Sequence, residues 1–545
     1  MPNCNQCQSS FEIEARDREF YEVIDVPDPT LCPDCRRQRR LMFRNFFNLY
    51  HRKCDLTGKQ IISMYDEHVP FPVYDMHEWW TDKWDPFSYG RDIDFKKPIF
   101  EQLKALHNTV PRMSIMNSQC ENTDYSNMAA KSRNCYLIFG CVENEDCCYG
   151  HIVWKSKNCF DCLYVYRSEF CYECSDCVQC NNLSFSMGCD NCSDSRFLVN
   201  CVSCRNCFGC VGIKNKEYHI FNQPYSREDY EKKMKEFNSG NIRLVSMAQK
   251  KVQELVGKET VKYYHGFNCE NVTGDYLYNC KNTFDSYDLK NCENCRYSAT
   301  LDGFTNCYDC NFAVPTAEWC YNSLTSRGFR LIGCQLAYDS SNLYYCDYCY
   351  FCQDCFGCAG LRNKRYCIFN KQYSKEEYET LLPKLILHMR ATNEFGEFFP
   401  SDLSPFAYNE TIASKYFPLS REEVQAHGWS WKEMDEQKHY KGPRYEIPED
   451  IRDVSDDICK QILVCETTGK LYKIIPQELK FYREMNLPIP HQCPDERHNN
   501  RMKSRNPRHL WTRVCAKCSK PIQTTYSPDR PEKVYCEECY LKSVY

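Results

Sequence analysis

The residues best placed to do chemistry are cysteines that come in pairs. Cys515-x2-Cys518 is followed, after seventeen intervening residues, by Cys536-x2-Cys539. Two such knuckles bring four thiolates to tetrahedral spacing, the arrangement Zn2+ takes in structural sites. All four positions are filled by protein, so the spacing predicts a centre that holds a small fold together and leaves no open position for catalysis. A second set of the same kind is Cys4-x2-Cys7 with Cys32-x2-Cys35. The expected cofactor is Zn2+, at least two ions per chain.

Two further stretches echo these sets with altered ligands. Residues 51–80 follow the pattern around Cys515–Cys539. His51 and Cys54 are read as the counterparts of Cys515 and Cys518, and Asp75 and Glu78 as those of Cys536 and Cys539. His, Cys and carboxylates all bind zinc, so a mixed site with an exchangeable water is one reading. It would be the chain's one candidate catalytic centre. A ribbon that has lost its metal and kept its fold is the other. Residues 462–501 echo the first set through Phe481-Tyr482 and Cys493-Pro-Asp-Glu496-Arg497. Cys465 and Cys493 match its cysteines, Ile462 and Glu496 depart, and Cys459 is near enough to substitute.

Most of the 43 cysteines lie elsewhere, in a repeat. Residues 207–230, CFGCVGIKNKEYHIFNQPYSREDY, recur at 355–378 as CFGCAGLRNKRYCIFNKQYSKEEY, an internal duplication with an offset of 148. Each copy has a finer period of 12. One column runs Cys135, Cys147, Cys159, Cys171, Leu183, Ser195, Cys207. Its partner runs Thr283, Cys295, Cys307, Trp319, Leu331, Leu343, Cys355. Asn or Asp precedes these positions in 11 of 14 cases, and cysteines recur every third residue, as at Cys201, Cys204, Cys207 and Cys210.

A period of 12 suits one coil of a narrow β-solenoid, with coils stacked at strand spacing of ~4.8 Å. Asn and Asp tolerate the left-handed backbone conformation that a turn in each coil requires. A 24-residue coil holding two such units is the alternative. Cys alternates with Leu, Ser and Thr down a column, which favours packing over ligation, since core positions drift in this way and ligands do not. Ser226 with Asp229 and Ser374 with Glu377 are capping boxes, predicting helices over 227–237 and 375–390. Another is expected over 243–256.

The expected fold is therefore mostly β: two narrow solenoids with capping helices, flanked by small zinc modules. Its order is a zinc-ribbon or treble-clef module at 1–47, a degenerate ribbon at 48–90 and a helical connector at 91–119. Solenoid 1 (120–225), a helical cap and linker (226–262), solenoid 2 (263–373) and a helical cap (374–393) follow. A linker at 394–458, a degenerate module at 459–508 and a ribbon at 509–545 complete it.

Three resemblances accompany this reading. The coil is similar to the 12-residue coils of insect antifreeze β-helices, without their outward Thr ladders. CNQC, REFY and LCPDCRRQRR over about residues 4–45 resemble a zinc-ribbon or treble-clef family marked by CxxC, an FY pair and CPxCR. That resemblance implies zinc and no activity. The whole pattern resembles a bacterial family of long cysteine-rich zinc-ribbon repeat proteins.

Composition narrows the function classes. A net charge of -5 gives no whole-chain case for nucleic acid. The start MPNCNQC carries neither a basic n-region nor an apolar h-region, and no run approaches the ~18 apolar residues of a membrane helix. A cytoplasmic, membrane-free protein with reduced thiols is expected. Basic residues cluster beside the modules: Arg36, Arg37, Arg39, Arg40 and Arg44, then Arg497, Arg501, Lys503, Arg505, Arg508 and Arg513. With neighbouring aromatics they predict nucleic-acid binding of the RNA or ribosome type. A protein-interaction scaffold on outward tyrosines (Tyr164, Tyr166, Tyr344, Tyr345, Tyr348, Tyr350) is the alternative. No phosphate loop, GxSxG or HExxH is present, so a thiol-redox or metal-dependent enzyme ranks last.

Overall fold

The structure is a computed structural model that describes residues 1–237, 239–313, 316–433, 442 and 444–544. Residues 434–441 and 443 of the expected linker lie outside the described residues. Strand exceeds helix.

Through residues 118–220, the pairing is almost wholly parallel between residues twelve apart. Glu121–Asp124 pairs with Arg133–Tyr136, His151–Trp154 with Leu163–Tyr166, and Asn181–Ser184 with Ser193–Arg196. Isolated bridges such as Cys148 to Phe160 and Phe208 to Ile220 carry the same register between them.

A three-residue backbone rule produces this ladder. Every third residue is left-handed: Asn134 (φ 52°), Leu137 (51°), Gly140 (63°), Glu143 (56°) and Asp146 (52°). The residue after each corner is buried, as at Cys135, Ile138, Cys141, Asn144 and Cys147. Each twelve-residue unit thus has four corners, whereas the Asn/Asp column marked only one. The other corners accept Tyr149, Ile152 and Tyr164. Left-handed geometry costs a bulky residue about 1–2 kcal/mol. Hydrogen bonds between units offset it: Arg133 N–H donates to Asn144 O at 2.9 Å and Asp146 N–H to Arg133 O at 3.1 Å.

The second ladder repeats the pattern from Gly266 to Gln372, with irregularities: Glu270 and Val272 pair eleven residues on with Lys281 and Thr283 before the register moves to twelve at Gly274, Arg327 pairs eleven on with Tyr338 before Gly328 returns to twelve, and one unit is longer. Phe304 pairs with Ala317 and Tyr308 with Tyr321, thirteen residues on, and Tyr321 then pairs with Ile332, eleven on. This displaces the expected column. Cys320, not Trp319, is the buried residue, and Trp319 takes a corner at φ 55°.

Inside both ladders the thiols make short-range polar contacts. Cys147 Sγ donates to Glu145 O (3.3 Å) and accepts from Cys159 N–H (3.4 Å). Burial pushes the Cys141 thiol up to about 12, so it stays protonated. These cysteines pack as small, weakly polar residues.

Both ladders end in a short antiparallel turn, His219–Ile220 with Gln223–Pro224 and Arg365–Ile368 with Lys371–Gln372. The capped helices Arg227–Glu236 and Lys375–Ala391 follow, with Ile242–Val256 after the first. No helix among the described residues is long and apolar enough to cross a membrane.

Candidate metal centres and arginine clasps

Two groups of four cysteines converge: Cys4, Cys7, Cys32 and Cys35, and Cys515, Cys518, Cys536 and Cys539. Within each, the sulfurs all lie within 4.8 Å of one another, and among the described residues no other group of three or more His, Cys, Asp or Glu does so. Either set can hold one tetrahedral ion. Cys32 occupies the N-cap position of the helix Pro33–Leu41, so one knuckle of the first set is the start of that helix.

A shared turn builds the first half of each site. Cys4 N–H donates to Ser9 O and Gln8 N–H to Cys4 O, both at 2.9 Å, with Gln8 at φ 62°. Cys515 repeats this with Lys520 O (2.8 Å) and with Ser519 (2.9 Å, φ 60°). Burial opposes a thiolate at Cys515, but the backbone N–H groups of Cys536, Cys518 and Lys517 outweigh it and bring its pKa to about 6. That favours the form a metal binds.

The same turn appears twice more and corrects the alignment of the altered modules. Cys54 N–H donates to Lys59 O and Gly58 N–H to Cys54 O, both at 2.8 Å, with Gly58 at φ 71°. Cys465 does so with Lys470 (2.8 Å) and Gly469 (2.9 Å, φ 71°). Cys54 therefore matches Cys515 and Thr57 matches Cys518, while Cys465 matches Cys4 and Thr468 matches Cys7. His51 and Ile462 fall outside the turn. The missed signal was the shared C-x-x-T-G-K at 54–59 and 465–470.

The other expected ligands have different partners. His51 lies against the Tyr125 hydroxyl at 3.4 Å. The Asp75 carboxylate caps a helix by accepting from His77 and Glu78 N–H, its own N–H donates to Cys54 Sγ at 3.2 Å, and Glu78 pairs with Lys83. Thr468 meets Cys493 Sγ at 3.8 Å, Glu496 accepts from Asn499 at 3.4 Å, and half-buried Cys459 packs on an apolar cluster. We expect metal analysis to find two divalent ions per chain, unchanged in Cys54→Ser and Cys465→Ser and reduced to one in Cys536→Ser.

The arginines that follow the knuckles point into the protein. Arg36 and Arg40 both grip Asp309, at 2.9 and 3.0 Å, and all three side chains are nearly inaccessible (2, 0 and 0% exposed). Arg40 also reaches Asn311 (2.7 Å) and Asn322 (2.9 Å), and Arg44 reaches Thr325 (2.6 Å). In the third module Arg497 and Arg501 grip Asp161 at 3.0 and 3.1 Å, Arg501 reaches Glu173 (2.8 Å), Arg505 joins Asp176 to Asp288, and Arg508 holds Asp288.

The two clasps are copies. Asp161 and Asp309 are 148 residues apart, and Arg36, Arg40 and Arg44 each stand 461 residues before Arg497, Arg501 and Arg505. Steps of four put each trio along one side of the chain as it leaves the knuckle. Stacked rings complete each clasp: Phe20 on Tyr308 (3.9 Å) and Phe481 on Phe160 (4.0 Å). The first module thus docks on the second ladder, and the third module on the first. Burial pulls against charge on both gripping arginines. Beside Asp309, Arg36 is still held well above its usual pKa, whereas Arg40 falls below its own.

No family model, curated protein or solved structure matches this chain. The resemblances named above therefore rest on motifs alone.

The clasps correct the expected nucleic-acid residues. Arg36, Arg37, Arg40, Arg497, Arg501, Arg505 and Arg508 are buried. Arg37 donates to Asp34 and to the Arg508 carbonyl. The rest neutralise or hydrogen-bond ladder side chains, so none is presented to a phosphate. Of the set, Lys503 is exposed, Arg39 sits 3.5 Å from Glu397, and Arg513 reaches the Ser527 carbonyl. The tyrosine face is also largely covered: Tyr164, Tyr345, Tyr348 and Tyr350 are buried, leaving Tyr166 and Tyr344 half-buried.

Proposed function

We propose that this chain is a non-enzymatic protein-interaction scaffold, built of two closed β-solenoids of 12-residue coils and clasped by modules that carry Zn2+ at the two four-cysteine sets. The observation that carries it is the burial of the basic runs on ladder carboxylates. Those arginines act as internal staples, and the nucleic-acid reading loses most of its donors.

Four corners per unit, and a parallel register that is twelve residues throughout the first ladder and through most of the second, support the closed coil. The four-thiol geometry and the backbone N–H groups that favour thiolate at Cys515 support zinc. A stiff rod with side chains fixed at regular spacing is suited to docking other proteins. On the second ladder, Asn271, Asn282, Asn294 and Asn306 bond side chain to side chain at 2.9, 3.2 and 3.1 Å, forming an ordered polar rail. Phe267 and Phe351, each 54% exposed, add apolar points on the same ladder.

Crosslinking in cells, followed by separate recovery of RNA and protein, tests this. We expect defined protein partners, with RNA at background in both the wild type and a Lys503→Glu/Arg513→Glu variant. RNA held in stoichiometric amount and released by that double reversal would overturn the scaffold reading.

A further inference from the structure

A cavity of about 170 Å³ lies between the third module, the first ladder and residues 409–415. Phe47, Phe139 and Tyr149 line it together with His151 and His498. His151 is 1% exposed, and among the described residues neither of its ring nitrogens has a hydrogen-bond partner; nor does Nε2 of His498. The two imidazoles stand 5.2 Å apart, and the Phe47 ring contacts both, at 5.1 and 4.8 Å. Burial, with Arg508, Arg44 and Arg505 adding to it, takes His151 down to about 3, and burial takes His498 far down as well. Both rings are neutral, each with one donor and one acceptor.

The internal duplication shows that this pair is additional to the clasp. Positions 36 and 497, 40 and 501, and 44 and 505 are arginine in both halves. His498 instead corresponds to Arg37, and His151 to Ala299. Docking in the other half proceeds with an arginine and an alanine there, so the imidazoles answer to something other than docking.

Charge selects the ligand. Arg501, Arg505 and Arg508 behind the two histidines are already paired with Asp161, Glu173, Asp176 and Asp288, so the charge of the lining is set by Lys415, which makes no ion pair among the described residues, and no third metal ligand converges with the imidazoles there. The carboxylates in the wall are committed: Asp495 to Lys470 (3.0 Å), and Glu410 to Lys432 (3.3 Å) and Tyr50. Lys415 is exposed at the mouth, its Nζ bonded to Asn499 Oδ1 at 2.9 Å. A dry cavity of about 150 Å³ takes one benzene.

We propose that this cavity binds a single-ring aromatic or heteroaromatic carboxylate. The ring lies among Phe47, Phe139 and Tyr149, the imidazole N–H groups donate to its polar atoms, and Lys415 compensates its charge.

The test is titration of the full, metal-loaded chain with benzoate and nicotinate by calorimetry and ligand-observed NMR, with benzamide as the neutral arm. We expect saturable binding of one acid per chain, at least about tenfold weaker binding of benzamide, and a loss of tenfold or more in His151→Leu. Lys415→Ala, at an exposed position, should weaken the acids several-fold while leaving benzamide unchanged, and this reads the site without disturbing packing. Three results would overturn the proposal: no saturable binding of either acid at millimolar concentration, equal binding by wild type and both variants, or a third divalent ion per chain that disappears in His151→Leu.

Discussion

Replacing Asp309 with alanine is expected to cost about 3–5 kcal/mol of folding free energy. The carboxylate is fully buried and answers two guanidiniums, one of them fully buried too. Alanine leaves Arg36 and Arg40 as like charges inside the protein, with Leu31 O, Asn311 and Asn322 as their remaining neutral acceptors among the described residues. The loss exceeds the intrinsic worth of the ion pair, because an uncompensated buried charge is the dominant penalty. Asp309→Asn keeps the shape and part of the hydrogen bonding, and should fall between. Asp161→Ala should behave alike in the other half, where Arg497 and Arg501 lose the same partner. In an Arg36→Met/Arg40→Met background, Asp309→Ala should cost far less, since the charges that need it are gone. Urea unfolding followed by tryptophan fluorescence measures the series, and an unchanged midpoint in Asp309→Ala would mean that the clasp does not hold the first module to the second ladder.

The role of these arginines shows where sequence reasoning reached its limit. Five arginines among the nine residues after Cys35 read as a basic surface because their partners lie far along the chain. Asp309 is one corner residue among dozens in the ladder, and nothing local marks it as a receptor. A usable signal did exist: Arg, Arg, Arg at steps of four, repeated with an offset of 461. Regular spacing along one face is the mark of docking, whereas phosphate binding needs no such register.

The twelve-residue period was legible because inward positions tolerate only small or apolar side chains. Three of the four corners were not, because local preference argues against Tyr149, Ile152 or Tyr164 in a left-handed conformation. Hydrogen bonding between neighbouring units decides those corners, and that is a tertiary effect. The slip at Trp319 has a similar origin. A thirteen-residue unit followed by an eleven-residue one preserves the period overall, so a fixed count of twelve passes through it without warning.

Removing the metal is expected to loosen the two end modules and leave the third in place. In small zinc modules, binding free energy on the order of 10–16 kcal/mol is folding free energy. The first module should therefore lose most of its order when chelated or when Cys4 is changed to serine. Because Cys32 stands at the N-cap position of the helix that carries Arg36 and Arg40, loosening of the module also frees the clasp on Asp309. The third module keeps the same knuckle turn with Thr468 and Glu496 at two ligand positions, and it has its own ties. Lys470, in the turn, pairs with Asp495 at the start of the helix Pro494–Ser504 (3.0 Å), and the buried Glu478 accepts from Tyr149 (2.9 Å), Tyr482 (2.6 Å) and Arg497 (3.4 Å). Hydrogen exchange on the chelated chain should rise sharply across 1–47 and 509–545 and stay level across 459–508. Metal binding displaces thiol protons, so the same loosening should set in without chelator as pH falls. Exchange that stays level across all three segments would show that the cysteines need no ion, and that the four-thiol sets are packing like those inside the ladders.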